Sequence, residues 1–331
     1  MIMLETELAI RSQLVGMCER RMQEAGIAES SVPNNPIYHY TTATGLMGIL
    51  QQGVIFATHT NYLNDISEIK YGQHLAAQVI NEQLQPLRDA IGRGFKTDQT
   101  PQDFLEPIAK EEWAIWALLE ACENSISVQS KDHYIASFCE EDDLLSQWKG
   151  YGNQGGGYSI GLSLKTSTID DKNNVFRVFQ VVYDPQKQRE VLRHILDDIL
   201  TSLRNSQPSG GYGLDASNHV EYHAHIQAAT DFFRVVGMRF KDKGFAQEKE
   251  WRFHACMSIK DAKNVKFREA KNILVPYLRL PINGPQIKVT TIRCGPSIRR
   301  DLSKESAEML VSQTKFSTAQ VVSSDIPFVS T

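Results

Sequence analysis

The sequence lacks the cysteine spacing of a metal site or of a disulfide framework. Its five cysteines are odd in number, are scattered and never form a C-x-x-C pair; they are Cys18, Cys122, Cys139, Cys256 and Cys294. A zinc knuckle and a small disulfide-stabilised fold are therefore both disfavoured. We expect most of these cysteines to be small core residues, and we expect no metal cofactor.

Long apolar runs and blocks of one charge are also missing. No stretch approaches the roughly 20 apolar residues that cross a bilayer. The N-terminal residues include acidic side chains where a signal peptide needs positive charge. The 35 basic and 39 acidic residues give a net charge of −4, which disfavours a general nucleic-acid-binding surface but leaves a local basic groove open. We expect a cytoplasmic protein with no membrane partner.

The pattern of predicted elements favours an α+β fold. The chain has 331 residues, of which 41% are hydrophobic, as in ordinary globular proteins. Helices and strands do not alternate regularly, so a doubly wound parallel sheet is disfavoured and a mixed or antiparallel sheet is expected. We predict an N-terminal helix within residues 1–30 and a single α+β domain over residues 31–331.

Local sequence signals predict the positions of most helices and strands. A strand at Ile37–Tyr40 precedes a helix that Thr41 or Thr42 caps and that stops at Gly53. A helix from about Ile66 reaches about 90, with a break or kink at Pro86. Further strands are predicted at 54–57, 134–138, 157–164, 175–183, 249–257, 273–280, 287–293 and 319–323, and further helices at 3–26, 104–123, 142–149, 185–204 and 299–314, with another that runs through 240.

The stretch Glu248-Lys249-Glu250-Trp251-Arg252-Phe253 reads as a strand with its polar chemistry on one face. Alternation would direct Glu248, Glu250 and Arg252 to one side and the apolar rings to the other. Two carboxylates this close repel each other unless a cation or a ligand hydroxyl lies between them. The sequence leaves two interpretations open: the carboxylates form an ion pair with Arg252 on a solvated face, or they bind a polar substrate.

Two other motifs match the patterns of a dinucleotide site and of a metal site only in part. Gly150, Gly152 and Gly155 spell G-x-G-x-x-G, but they follow a helix and lead into a strand, which is the wrong order for a dinucleotide fingerprint. A glycine turn near Trp148, Tyr151 and Tyr158 could still frame a pocket for a planar ring, or be a plain turn. His219 and His223 share a helical face, but without a third ligand a metal site is disfavoured.

Motifs along the chain resemble the bacterial domain of unknown function 2971 family. They form three blocks. The first is Ile37-Tyr38-His39-Tyr40-Thr41 with the Leu46/Ile49/Leu50/Gly53 helix and Asn64, Asp65 and Glu68; the second is Ser137-Phe138-Cys139 with Asp143, Trp148, Tyr151-Gly152 and Ile160-Gly161. The third is Glu248-x-Glu250-Trp251-Arg252 with Gly295-Pro296 and Ser324-x-Ile326-Pro327. The blocks span about residues 36–328 in order. This family has no established activity.

The opening Tyr-His-Tyr-Thr, helix, Gly and strand are also similar to the start of ADP-ribosyltransferase folds, including DarT-like toxins and RNA 2′-phosphotransferases. The resemblance implies a mixed or antiparallel split sheet with flanking and inserted helices, and NAD as substrate without a metal. It implies catalytic roles for Glu250, His39 and Glu248. Residues expected to contact NAD are His39, Tyr40, Thr41, Trp148, Tyr151, Tyr158 and Arg252, with the nicotinamide contact open between Tyr151 and Tyr158.

The chemistry of these residue types agrees with that resemblance. A carboxylate such as Glu250 can stabilise the oxocarbenium that develops when the nicotinamide–ribose bond breaks. The expected function is therefore an NAD-consuming transferase that modifies a protein or nucleic-acid acceptor, as a toxin or phage-defence effector. The alternatives are an NAD glycohydrolase or phosphotransferase on the same scaffold, and a non-enzymatic sensor or binding module.

Overall fold

The computed structural model describes residues 16–17, 20–25, 27, 31–63, 66–94, 133–152, 156–170, 174–205, 235–256 and 263–327. The predicted helix at 104–123, the His219/His223 cluster, and Cys18 and Cys122 lie outside these residues, as does Gly155. The chain divides into two compact units: Met1–Glu29, Asp65–Ser130 and Val182–Lys243 form the first, and Ser30–Asn64, Lys131–Val181 and Gly244–Thr331 form the second. The predicted domain boundaries stay a prediction.

The helices and strands follow the predicted order closely. The helices are α1 (Ala43–Gln52), α2 (Ile66–Gly94), α3 (Leu145–Tyr151), α4 (Pro185–Asn205) and α5 (Arg300–Ser312), with 3-10 helices at Thr60–Tyr62 and Lys243–Glu248. The strands are β1 (Ile37–Thr41), β2 (Val54–His59), β3 (His133–Cys139), β4 (Tyr158–Leu164), β5 (Thr168–Asp170), β6 (Val175–Gln180), β7 (Glu250–Cys256), β8 (Lys266–Ala270), β9 (Ile273–Pro281), β10 (Ile287–Cys294) and β11 (Gln320–Ser323).

Helix α1 shows how the local signals act. Thr42 is the N-cap, and its hydroxyl accepts a hydrogen bond from the amide of Gly45. Gly53 ends the helix with φ 69° in the left-handed region, where a Cβ is unfavourable. The capped helix and its glycine stop are thus confirmed. Helix α2, in contrast, runs without interruption through Pro86, so a break there is wrong, whereas the alternative of a kink stays a prediction.

The first unit contains a pair of packed helices. Tyr71 on α2 donates its hydroxyl hydrogen to the Gln188 side chain on α4 at 3.0 Å. Glu82 on α2 accepts from Arg189 at 2.7 Å and from Arg193 at 3.3 Å. Apolar side chains such as Val79 and Ile195 are fully buried in this unit.

The second unit contains an 11-stranded mixed sheet, which confirms the predicted sheet type. Only β10 and β11 pair in parallel among its described ladders; the others are antiparallel. On one edge β3 pairs along its length with β7. Its other edge pairs with β1 at Cys139 and with β2 at Tyr134 and Ile135. The sheet therefore divides there into a first arm, β1-β4-β10-β11, and a second arm, β2-β9-β8.

One face of this sheet forms the main hydrophobic cluster, and we call it the core face. Buried side chains on it include Ile37, Ala136, Phe138, Ile160 and Phe253, with α1 and α5 contributing Leu46, Leu50 and Val311. The sheet side chains of this cluster fall at alternate positions, as expected for strands with one face in the core.

Candidate functional site

The strand register places Glu250 and His39 on opposite faces of the sheet. Tyr38 is directly opposite Cys139, and Cys139 is directly opposite Glu250. Directly opposed residues share a face, so we call this side the Glu250 face. His39 alternates with Tyr38 and therefore points to the core face, where its ring lies 5.3 Å from that of Phe138. The prediction that His39 and Glu250 line one cleft is therefore not supported.

The Glu250 carboxylate forms a buried ion pair with the Arg252 guanidinium. Arg252 donates from Nε to Glu250 Oε1 at 2.7 Å and from Nη2 to Oε2 at 2.9 Å. The two side chains are only 6% and 3% exposed. Both carboxylate oxygens thus accept a charge-assisted hydrogen bond away from solvent. Of the two interpretations of this motif, the geometry matches the ion pair, although the face is buried rather than solvated.

Glu248 does not belong to the strand that carries Glu250. It is the last residue of the 3-10 helix Lys243–Glu248, and β7 begins at Glu250. Lys249 between them has φ 41°, a left-handed conformation that interrupts the alternation of an extended strand. The prediction of a strand from 248 or 249 is wrong at its start. The strand begins later than predicted because the chain turns at Lys249. After this turn, the Lys249 ammonium lies 2.6 Å from a carboxylate oxygen of Glu141.

His39, Thr41 and Tyr158 form a group on the core face. Thr41 is directly opposite Tyr158, and His39 is directly opposite Ile160. The His39 Nδ1 lies 3.1 Å from the Ser137 carbonyl oxygen, to which it donates when protonated. Burial lowers the pKa of His39, while this carbonyl opposes the shift.

Tyr158 opens onto a surface groove beside α5. Its hydroxyl lies 3.0 Å from Ser303 Oγ. The groove has a volume of about 530 Å³ and is lined by Tyr158, Ser297, Arg299, Leu302, Ser303, Glu305, Ser306 and Met309. The lining combines an aromatic ring with several hydroxyls and one guanidinium, and the volume lies in the range of small-molecule sites.

Tyr40 and Trp148 are packed inside the protein instead of facing a ligand. Their exposed fractions are 6% and 0%, and their rings meet edge-to-face at 4.6 Å. The Tyr40 hydroxyl donates to the Glu141 carbonyl at 2.7 Å and accepts from the Leu144 amide at 3.0 Å. Burial raises the pKa of Tyr40. Tyr151, at the end of α3, is 46% exposed.

The acidic run Glu140–Asp143 is the organising centre that the sequence reasoning missed. Asp143 accepts from Trp148 Nε1 at 2.8 Å, from the Ser324 hydroxyl at 2.6 Å and from the Asp325 amide at 2.9 Å. Asp142 accepts from Arg293 at 2.7 Å. Four consecutive acidic residues were a visible signal, because like charges this close repel each other unless cations and hydrogen-bond donors from other elements surround them.

Glu140 completes the network and explains several motif residues. It accepts from Trp251 Nε1 at 2.8 Å and from Gln180 Nε2 at 3.0 Å. Around the same loop, a Cβ on Gly295 would lie 2.9 Å from Trp148 Cε3 and 2.8 Å from the Gly156 carbonyl oxygen. The motif residues Asp143, Trp148, Gly295 and Ser324 therefore meet as structural partners.

The glycine-rich turn agrees with the rejection of a dinucleotide fingerprint. Gly150 and Gly152 end or follow α3, and the chain then enters β4. Gly157 has φ 88°, and a Cβ there would lie 2.6 Å from the Thr41 carbonyl oxygen. This turn packs the chain against the end of β1.

Cysteines and metal ligands give no further site within the described part of the chain. Cys139 and Cys294 are buried, as expected for core cysteines, whereas Cys256 is exposed at the end of β7. Among the described residues no group of three His, Cys, Asp or Glu side chains is arranged to hold a metal ion. No helix among the same residues is long and apolar enough to cross a membrane.

The comparison with known families gives one match. Residues 147–253 match the model of a family described as "Protein of unknown function (DUF2971)". This range runs from α3 through Glu250 and Arg252, and it supports the family resemblance over that part of the chain. No curated protein and no solved structure matches the chain. The resemblance to ADP-ribosyltransferases stays a prediction.

Proposed function

We propose that this protein binds NAD or a related nucleotide in the surface groove beside Tyr158 and acts as a non-enzymatic sensor or binding module. The observation that carries this proposal is the state of Glu250. Its two oxygens are held by Arg252 in a buried pair, on the face opposite to His39 and Thr41. A ribose bound by His39 would therefore lack the carboxylate that cleavage requires.

The groove at Tyr158 supports this ligand class. The Tyr158 ring can stack on a planar base or nicotinamide. Arg299 can pair with a phosphate, and the hydroxyls of Ser303 and Ser306 can hydrogen-bond ribose. Thr41 lies directly opposite Tyr158, so the β1 motif of the family resemblance is adjacent to this groove.

The test combines calorimetric titration of NAD and ADP-ribose with an assay of nicotinamide release. We expect binding that Tyr158→Leu weakens by about tenfold or more, because a base-stacking ring is worth roughly 1–3 kcal/mol. Tyr151→Leu is the matched control, since Tyr151 is the other aromatic that the resemblance offers and lies outside the lining of the groove. Wild-type protein should release no nicotinamide. Absence of binding, or equal losses in both variants, contradicts the proposal.

The second candidate is the NAD-consuming ADP-ribosyltransferase-like enzyme that modifies a protein or nucleic acid, in toxin or phage-defence roles, or its glycohydrolase or phosphotransferase alternatives. One observation favours it: Glu250 lies beside a guanidinium at the first residue of β7, a strand that is paired on both sides. This function requires Arg252 to release Glu250 when substrate binds. Nicotinamide release that falls by roughly 100-fold or more in Glu250→Gln would establish it and would overturn the first proposal.

A further inference from the structure

A basic and aromatic surface lies on the second arm of the sheet, β2-β9-β8, whereas Tyr158 lies on β4 of the first arm. The register pairs Thr58 with Tyr277 and Tyr277 with Lys266, and it pairs Phe56 with Arg279. These side chains consequently share one face, opposite to the core side chains of the same strands. We define the basic–aromatic surface as Phe56, Thr58, Lys266, Arg268, Tyr277 and Arg279.

The aromatic part of this surface is a stacked pair. The rings of Phe56 and Tyr277 are 4.0 Å apart at an interplanar angle of 30°. Both residues are half-buried, so their outer parts remain accessible. Lys266 and Arg279 are exposed beside them. Cations that flank an accessible aromatic pair are typical of surfaces that bind nucleic-acid strands.

Arg268 has a buried donor that the described residues leave unsatisfied. Among the described residues its one hydrogen bond is from Nη2 to Thr58 Oγ1, at a long 3.5 Å, and none of them pairs with its buried Nε. Thr60, next along the same chain segment, is 3% exposed, and its hydroxyl also has no partner. Buried polar atoms are normally satisfied, so unmet donors here point to an oxygen-rich ligand such as a phosphate.

Within the described residues of these strands, no acidic side chain lies beside these cations. Among the described residues of β2, β8 and β9, this face carries no carboxylate, because Glu269 points to the other side. Neither Lys266, Arg268 nor Arg279 forms an ion pair within the described part of the chain. The local positive charge stands out against a chain whose net charge is −4.

We propose that the basic–aromatic surface binds single-stranded nucleic acid, with phosphates on Lys266, Arg268 and Arg279 and bases against Phe56 and Tyr277. An extended strand suits an open sheet surface, whereas small ligands favour concave sites. Cations without acidic neighbours match a polyanion, and a rigid duplex cannot place its stacked bases on the rings. This inference does not depend on the function proposed for the groove at Tyr158.

The experiment uses the full chain and fluorescein-labelled 12-mers of oligo-U and oligo-dT in anisotropy titrations at several salt concentrations. We expect binding at about 50 mM salt, with a slope of log K against log salt of about −2 if three phosphates are neutralised. Lys266→Gln with Arg279→Gln should weaken binding by about tenfold or more and make the slope shallower. Tyr277→Leu should weaken it by about tenfold with the slope unchanged.

Lys288→Gln is the matched control, since Lys288 is an exposed strand lysine on the first arm. It should leave affinity within about twofold of wild type, and thermal melts should confirm that every variant is folded. Three results would overturn the inference: no binding at about 50 mM salt, equal weakening by Lys288→Gln, or equally tight binding of a duplex or of a poly-glutamate peptide. Loss of NAD binding in Tyr158→Leu with intact oligonucleotide binding would separate this site from the groove.

Discussion

The ion pair between Glu250 and Arg252 gives the sharpest prediction about stability. With the two side chains 6% and 3% exposed, water cannot replace a lost partner. Removing one member of such a pair leaves an uncompensated buried charge and costs about 3–5 kcal/mol. Glu250→Leu and Arg252→Met alone should each lower the free energy of unfolding by that amount.

The double variant tests whether the loss of stability in each single variant comes from the buried charge that is left without its partner. Replacing both members by apolar side chains removes both buried charges, so Glu250→Leu with Arg252→Met should be within about 1–2 kcal/mol of wild type. Urea denaturation, followed by tryptophan fluorescence and circular dichroism together, gives these free energies and shows whether unfolding is two-state.

The exposed pair between Lys249 and Glu141 is the control, because its side chains are 50% and 48% exposed. Glu141→Gln should leave the denaturation midpoint close to that of wild type, as is usual for solvated ion pairs. The reasoning is refuted if Glu250→Leu is as stable as wild type, or if the double variant loses as much as the two single variants added together.

Three further changes test the local structure. Asp143→Ala should cost about 2–4 kcal/mol in urea unfolding, because it leaves a buried indole without an acceptor; a loss below about 1 kcal/mol would contradict the network. Gly157→Ala should lower the melting temperature through its φ of 88° and its close carbonyl contact, whereas Gly284→Ala, with open space around it, should not. Because burial lowers the pKa of His39 below 6.5, the unfolded state binds more protons, so stability present above pH 6.5 should be lost as pH falls. His39→Gln should flatten this dependence in denaturation series from pH 7 to 5, and an unchanged pH dependence in that variant would contradict the assignment.

Local sequence signals predicted the elements well where the chain itself carries the cause. Thr42 and Gly53 fix the ends of α1 through a cap and a left-handed residue. Strand β8 was missed because its five residues are mostly exposed and show no apolar alternation. Its hairpin turn, Lys271-Asn272 with φ 52° and 63°, lacks the glycine that normally marks such turns.

The candidate site was harder to predict because it depends on pairing partners distant in sequence. The face of Glu250 follows from its position opposite Cys139, and that of His39 from Tyr38, neither of which a single strand reveals. The turn at Lys249 removed Glu248 from the strand, and only its left-handed conformation discloses this. The residue types at 248–252 indicated, as one of two interpretations, an ion pair between a glutamate and Arg252. Only the pairing of Glu250 with Cys139 shows which face of the sheet carries that pair.

The position of bound ADP-ribose or NAD distinguishes the groove beside Tyr158 from a site at Glu250. Crystals of the full chain soaked with ADP-ribose or NAD would show which sheet face holds the ribose. We predict density in the groove beside Tyr158, on the face of His39 and Thr41, with the Glu250–Arg252 pair intact. A ribose hydrogen-bonded to Glu250, with Arg252 displaced from its carboxylate, would contradict the proposed binding site beside Tyr158.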